Sequence, residues 1–418
     1  MKTRTIILIG VLVREVFSFW TGHPFDFELW VRTGYWTIHG MSPYGVLPAV
    51  PGLSFASIYS PQGQSTIGYF PLWPLITGAM YFVYAVSGIH QPLLYYFLLK
   101  QPVIIGDILL AFAIYVYVRK LNPSAANWAL MFWCFSPLAI ILSGVWGMFD
   151  SLAMLFVLCA VISQGSTVRS LSGGIGTLVK SIPVIYSIPL ALSGRAKVRS
   201  LAIVIATPLL LSLAILLALG WPIPLTIKTL ESTVPKGGES LSLWDAVFFL
   251  KSIGALPSTY VPPAFVGYVW IPAVLLFTYV AYRRFDFGTN YGLVQSLLLV
   301  SLAFLIFRVQ VNEQYSTYAL SLGVIDVAVW SRKRRWLVLG ILIVALTFLV
   351  INNTLLIPFT SPVYANAPVL EAQVIAMFNI QRFAAKFILS AVFTSLNITY
   401  IVAILRRKPG LGPSQPKG

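Results

Sequence analysis

Long apolar runs alternate with short polar or basic breaks from one end of this chain to the other. A helix needs about 20 apolar residues to cross a hydrocarbon core about 30 Å thick. On that measure the pattern predicts spans near residues 5–20, 66–87, 93–118, 125–143, 146–163, 171–193, 200–219, 264–282, 290–308, 314–330, 336–357 and 383–404. That makes twelve, with both ends on the same side of the membrane. The expected fold is an all-α polytopic membrane protein, with residues 1–408 forming a single transmembrane domain and a Pro/Gly-rich tail at 409–418 that reads as disordered.

Two long polar intervals interrupt the pattern, at 21–65 and 221–263. Both fall on the external side in this arrangement. The first carries Trp30, Tyr35, Trp36, Tyr44 and Tyr59, rings suited to headgroup depth. Within it, Phe27 to His39 reads as a short surface helix stopped at Gly40, with Pro43 beyond. The start, Met1-Lys2-Thr3-Arg4 and an apolar run without a small-residue cleavage site, reads as a retained first helix.

Composition agrees with the pattern. Hydrophobic residues make up 58% and charged residues 10%, against about 45–50% and about 25% in soluble domains. The formal charge of +16 comes from short clusters between apolar runs, including Arg195 to Arg199, Arg283-Arg284, Arg332 to Arg335 and Arg406 to Lys408. Such clusters mark cytoplasmic loops rather than a nucleic-acid surface. Arg119-Lys120 and Arg169 fall on the wrong side of the twelve-span arrangement. Either they serve an anionic lipid headgroup outside, or a segment among 66–193 is re-entrant. The first suspect is 171–193, interrupted by Gly173, Gly174, Gly176, Pro183 and Pro189. Cys134 and Cys159 lie in apolar runs without metal spacing and read as small core residues.

Acids are scarce, 12 in 418 residues. Asp26 and Glu28 stand two residues apart just after the first apolar run, with His23 near enough to tune Asp26. A carboxylate pair at the membrane edge suits catalysis, because an ionised group near hydrocarbon costs about 2.5–3.5 kcal/mol. The short loop from Arg308 through Gln310, Asn312 and Glu313 to Gln314 and Tyr315 concentrates polar groups at a span boundary. It reads either as interfacial solvation or as a phosphate or sugar site using Arg308 and Gln314. Lys180 sits in the middle of an apolar run. It reads as a structural pair with Asp150 or Asp107, or as a phosphate clamp. Asp150 takes its role from the side of the membrane it occupies. No Walker loop, dinucleotide fingerprint, HExxH or His/Cys metal cluster occurs in the sequence. A sugar donor would therefore have to arrive through the membrane.

These residues stand in an order that resembles polytopic glycosyltransferases of the GT-C fold. The similarity is greatest to the polyprenyl-phosphate-mannose-dependent mannosyltransferases, the family that includes the catalytic subunit of GPI mannosyltransferase I. Asp26-Phe27-Glu28 resembles its DxD-like motif, and Gly40-Met41-Ser42-Pro43-Tyr44 its aromatic Gly-x-Ser/Asn-Pro-Tyr. Tyr69-Phe70-Pro71-Leu72, Lys100 with Asp107, the stretch Phe135 to Ser151, Lys180 to Leu190, and Glu313-Gln314-Tyr315 are similar to further family segments. The second acid is Glu28 where the motif has Asp, which weakens a metal-binding reading.

The resemblance implies an inverting transfer of a sugar, mannose above all, from a polyprenyl (dolichyl) phosphate donor to a lipid-linked glycan or glycolipid. Asp26 would be the base with Glu28 as partner, and His23, Tyr44, Asp150, Lys180, Arg308, Gln314 and Tyr315 would bind substrate. No cofactor is required, with a divalent cation allowed. Nucleic acid is no partner, and an accessory subunit is left open. The expected location is the cell membrane with the site outside, or the ER membrane with a luminal site. The rival reading is a transporter or flippase of a polyprenyl-linked or other anionic lipid, which predicts inverted repeats that the sequence lacks.

Overall fold

The computed structural model describes residues 1–56, 67–194, 196–232 and 240–406. The expectations for Tyr59, Arg195, Arg407, Lys408 and the tail at 409–418, and part of the polar interval 221–263, lie outside the described residues. Every regular element is helical, with no strand among the described residues. In chain order the helices are α1 (Thr3–Ser18), α2 (Asp26–Ile38), α3 (Leu72–Val86), α4 (Pro92–Leu121), α5 (Pro123–Cys134), α6 (Pro137–Ile140), α7 (Asp150–Ile162), α8 (Ser166–Val179) and α9 (Ser187–Leu192). Then come α10 (Lys197–Ala218), α11 (Ile223–Ser232), α12 (Asp245–Ser252), α13 (Trp270–Arg284), α14 (Asn290–Phe307), α15 (Ser316–Val329), α16 (Arg335–Asn352) and α17 (Ala367–Leu405).

Six helical segments are long and apolar enough to cross a membrane, and α5 with Pro137–Trp146, bent by 48°, makes a seventh. The protein is an all-α, multi-pass membrane protein. Leu72–Val86, Asp150–Ile162 and Ile182–Leu192 are apolar but shorter. Their shortness follows from the sequence: Pro71 and Pro92 bracket α3, and Pro183 opens the 3₁₀ segment Ile182–Tyr186 after α8, because proline disfavours helix in the residue before it.

The two ends of the bundle differ in charge. The Thr3 hydroxyl reaches the Tyr115 hydroxyl and Asn127 Oδ1, and Asn122 donates to the Ala328 carbonyl at 2.8 Å. Tyr117 donates to Asn290 O, Arg284 to Leu405 O, and Lys197 lies over the Tyr282 ring. Arg169 donates to Ser193 O and Oγ. These contacts gather the N-terminus, Arg119, Lys120, Arg169 and the later basic clusters at one end. The expectation that Arg119, Lys120 and Arg169 face the other side is corrected.

Two of the expected spans, 66–87 and 171–193, form only short or broken helices. Segment 166–192 runs out along α8 and returns through α9, as the Arg169–Ser193 contact requires. Helix α3 lies wholly at the opposite end, where its last turn stacks Tyr84 on Tyr95 at 5.2 Å. Helix α4 has 30 residues, about 45 Å, so its first turns stand beyond a core of about 30 Å. Helices α2 and α3 pack on those turns. Gly34 permits the closest approach, since a Cβ there would sit 2.2 Å from the Tyr95 hydroxyl and 2.6 Å from Thr77 O. Tyr95 donates to Val31 O at 3.1 Å, and Tyr96 donates to Leu53 O.

Buried charge ties the helices together inside. Arg14 of α1 bonds Asp107 of α4 at 2.6 Å, and Trp133 and Ser143 also donate to that carboxylate. Asp326 receives Gln295, Arg334 and Tyr400, which joins α14, α15, α16 and α17 at the basic end.

Candidate active site

Asp26 is the first residue of α2, and the backbone there has free N–H groups to satisfy. His23 Nδ1 accepts from the N–H of Phe25 (3.3 Å) and of Asp26 (3.1 Å). A nitrogen that accepts these bonds carries no proton, so its 3.6 Å approach to Asp26 Oδ2 is not a hydrogen bond. Burial lowers the His23 pKa, against the raising influence of Asp26 and of Asn353. The neutral ring stacks on Trp146 at 4.5 Å, with Phe359 at its edge. Trp146 Nε1 in turn donates to Asp26 Oδ2 at 3.0 Å. The carboxylate is thus aimed by a ring that is itself clamped, and its side chain remains 29% exposed.

Glu28 does not join it. Two helical positions turn the chain by about 200°, so the acids of an Asp-x-Glu motif on a helix point to opposite faces. Glu28 is fully buried, with Oε1 on Arg32 Nε at 2.7 Å and Oε2 accepting from the N–H groups of Phe55 and Ala56. Arg32 also donates to Leu47 O. The expected catalytic partner is a clamp for the loop at 47–56, and the two acids offer no common point for a cation. Tyr44 is likewise buried framework, its hydroxyl donating to Tyr69 O at 3.0 Å.

Lys100, buried in α4, hydrogen-bonds Thr21 O (2.6 Å), Thr21 Oγ1 (2.8 Å), Gly144 O (2.9 Å) and Val145 O (3.1 Å). One ammonium therefore fixes the connection leading to His23 and the π-helical segment Ile141–Trp146 that carries the indole. Gly147 follows in the left-handed region (φ +85°), and a Cβ there would meet the Phe27 ring at 2.7 Å.

The second group lies around Lys180. Between α8 and the next 3₁₀ turn its backbone is extended, and Nζ bonds Asp150 Oδ2 at 2.6 Å with both side chains at most 2% exposed. This is the structural pair of the two alternatives. The ammonium sits 5.0–5.6 Å from the centres of the Tyr69, Phe149 and Tyr315 rings. Arg308 lies over Tyr315, Trp270 and Phe304, with Nε on Gln310 O at 2.9 Å. Among the described residues no carboxylate pairs with Arg308. Gln314 is buried with Oε1 lacking a hydrogen-bond partner among them.

Tyr69 joins the two groups. Burial raises its phenol pKa well above the usual value, as do Asp26, Tyr315 and Asp150, while Arg308 acts the other way. The phenol stays protonated between the Asp26 side and the Arg308 side. The structure therefore brings Asp26, His23, Lys180, Asp150, Tyr315 and Arg308 to one neighbourhood and leaves Glu28 and Tyr44 in the framework.

Trp146 is an addition to the sequence-based candidates, and Tyr69 and Glu313, which the sequence offered only within longer segments, join it. Glu313 is 2% exposed, accepts from Asn352 at 2.9 Å, and is pushed up to about 7 by burial, opposed by Asn352 and Lys386 and aided by Asp26. The scarcity of acids was the signal that pointed to it. Nothing in the sequence singles out Trp146 among 12 tryptophans.

No family model matches the chain, and no curated protein matches it.

Proposed function

We propose that the protein is a GT-C-type glycosyltransferase that moves a sugar, with mannose the favoured one, from a polyprenyl phosphate to a lipid-linked glycan or glycolipid. The carrying observation is a partly exposed carboxylate, Asp26, held by Trp146 and near enough to Tyr69 to act on its phenol, as is a guanidinium, Arg308, that lacks an acidic partner among the described residues. The order of motifs from Asp26 to Tyr315 supports the same reading.

In this mechanism the acceptor hydroxyl gives its proton to Asp26, and its oxygen attacks the anomeric carbon from the face opposite the phosphate. The bond from that carbon to the phosphate oxygen breaks, and the electron pair leaves with the phosphate, inverting the centre. Arg308 stabilises the departing anion electrostatically. Lys180 contributes less, since Asp150 already balances its charge. The membrane arrangement that goes with this reading removes 66–87 and 171–193 from the twelve expected crossings. Ten crossings remain, with a re-entrant hairpin at 166–192 and the basic end in the cytoplasm.

The test is transfer of labelled mannose from synthetic polyprenyl-phosphate mannose to extracted lipid acceptors by purified protein. Asp26→Asn is expected to keep donor binding and lose transfer by about 10²–10⁴-fold. Arg308→Gln is expected to weaken both. Equal transfer by wild type and Asp26→Asn would remove Asp26 as base, and no transfer with any polyprenyl-phosphate sugar would sink the enzyme reading.

A further inference from the structure

At the basic end, a cavity of about 630 Å³ opens between the first turn of α1 and the last turns of α4. Arg4, Arg119 and Lys120 line it together with Thr3 and Tyr115. No acid lines it, and among the described residues none pairs with these three cations. Three like charges around one concavity repel one another, so the arrangement favours an anion between them.

The polar wall is built rather than incidental. The Thr3 hydroxyl donates to Asn127 Oδ1 at 3.2 Å and lies 3.4 Å from the Tyr115 hydroxyl. Arg119 Nη1 also donates to Tyr115 at 3.4 Å while its guanidinium lies 5.9 Å from that ring's centre. Arg119 is thereby held toward the cavity, with its remaining N–H groups available. Along α4, Val116, Phe112, Leu109 and Ile105 follow as an exposed apolar stripe at spacings of three or four residues. A cationic mouth at the end of an apolar stripe matches a molecule with an anionic head and hydrocarbon tails.

We propose that this cavity binds the phosphodiester headgroup of an anionic phospholipid, with its acyl chains along the α4 stripe. Arg4 and Arg119 supply paired N–H donors to the phosphate oxygens, and Lys120 supplies a point charge. The site lies at the end of the bundle away from Asp26, so the proposal stands apart from the transfer reaction.

Native mass spectrometry of the purified protein, titrated with phosphatidylglycerol or phosphatidylcholine, tests it. Wild type is expected to retain phosphatidylglycerol in preference. Arg4→Gln/Arg119→Gln/Lys120→Gln is expected to weaken that binding by about five-fold per cation, on the order of 10²-fold in all. Arg4→Lys/Arg119→Lys keeps the charge and most of the preference. Arg332→Gln/Lys333→Gln, which removes exposed cations at the same end but outside the cavity, leaves it unchanged. Retained preference in the triple variant, or equal loss in the Arg332/Lys333 variant, overturns the proposal. Displacement of the lipid by an equal concentration of inorganic phosphate overturns the lipid assignment.

Discussion

Replacing Lys180 by Met deletes an ammonium that lies 2.6 Å from Asp150 Oδ2, with side-chain exposures of 1% and 2%. Nothing else of opposite sign bonds that carboxylate among the described residues, so the variant leaves an uncompensated acid among Tyr69, Phe149 and Tyr315. Breaking a buried pair in this way costs about 3–5 kcal/mol, whereas replacing both partners by apolar groups of like volume is near neutral. Lys180→Met is therefore expected to lower stability by about that amount, and Asp150→Leu/Lys180→Met to recover most of it. Cys134 supplies the assay in a Cys159→Ser background, because it is buried in the folded chain and becomes reactive to a thiol dye on unfolding. A cost below about 1 kcal/mol for Lys180→Met, or no recovery in the double variant, would refute the pair as the bond that holds the re-entrant hairpin.

Further outcomes follow from the same framework. Glu28→Gln should destabilise by about 3–5 kcal/mol, because it strands buried Arg32, and thermal unfolding in detergent measures it. A Glu28→Gln protein that folds normally but no longer transfers sugar would instead restore the acid to the chemistry. Lys100→Met should unpair the carbonyls of Thr21, Gly144 and Val145 and detach the Trp146 indole, read as a changed tryptophan emission together with a lower melting temperature. Glu313 has its folded pKa raised from 4.5 to about 7. Its contribution is therefore full below pH 4.5 and is lost as pH rises to about 7, at most on the order of 3 kcal/mol. Glu313→Gln should flatten that part of the stability–pH curve, and a slope unchanged in the variant would show that another group titrates there.

The membrane character was legible because it depends on local composition. Most helix boundaries followed from the same apolar runs and from prolines such as Pro71, Pro92 and Pro183. The shortness of some expected spans was not legible, because α3 is as apolar as a span yet has 15 residues, and its packing, Gly34 against Tyr95 and Tyr84 on Tyr95, shows in no local pattern. Asp26 and Glu28 looked like a pair because adjacency on the chain was read without the 100° turn per residue that the helix imposes. Arg119, Lys120 and Arg169 marked where the twelve-span reading conflicted with the positive-inside rule, and in the structure they share an end with the later basic clusters. Trp146 and Lys100 act through partners more than 40 residues away, beyond the reach of any motif.

The Arg14–Asp107 bond also bears on how the chain is made. The partners are 93 residues apart in sequence, so Arg14 of α1 is made well before Asp107 of α4. At about 5–20 residues per second, that separation amounts to roughly 5–19 s of synthesis before Asp107 is made. An unpaired arginine at the middle of a helix resists entering lipid by about 2.5–3.5 kcal/mol. Where α1 crosses the membrane, as in the proposed arrangement, its arginine is matched by Asp107 only once α4 has been made. Swapping the two residues, Arg14→Asp with Asp107→Arg, gives the earlier helix the acid instead and sets the Trp133 N–H against a guanidinium, so such a variant changes insertion and final stability together.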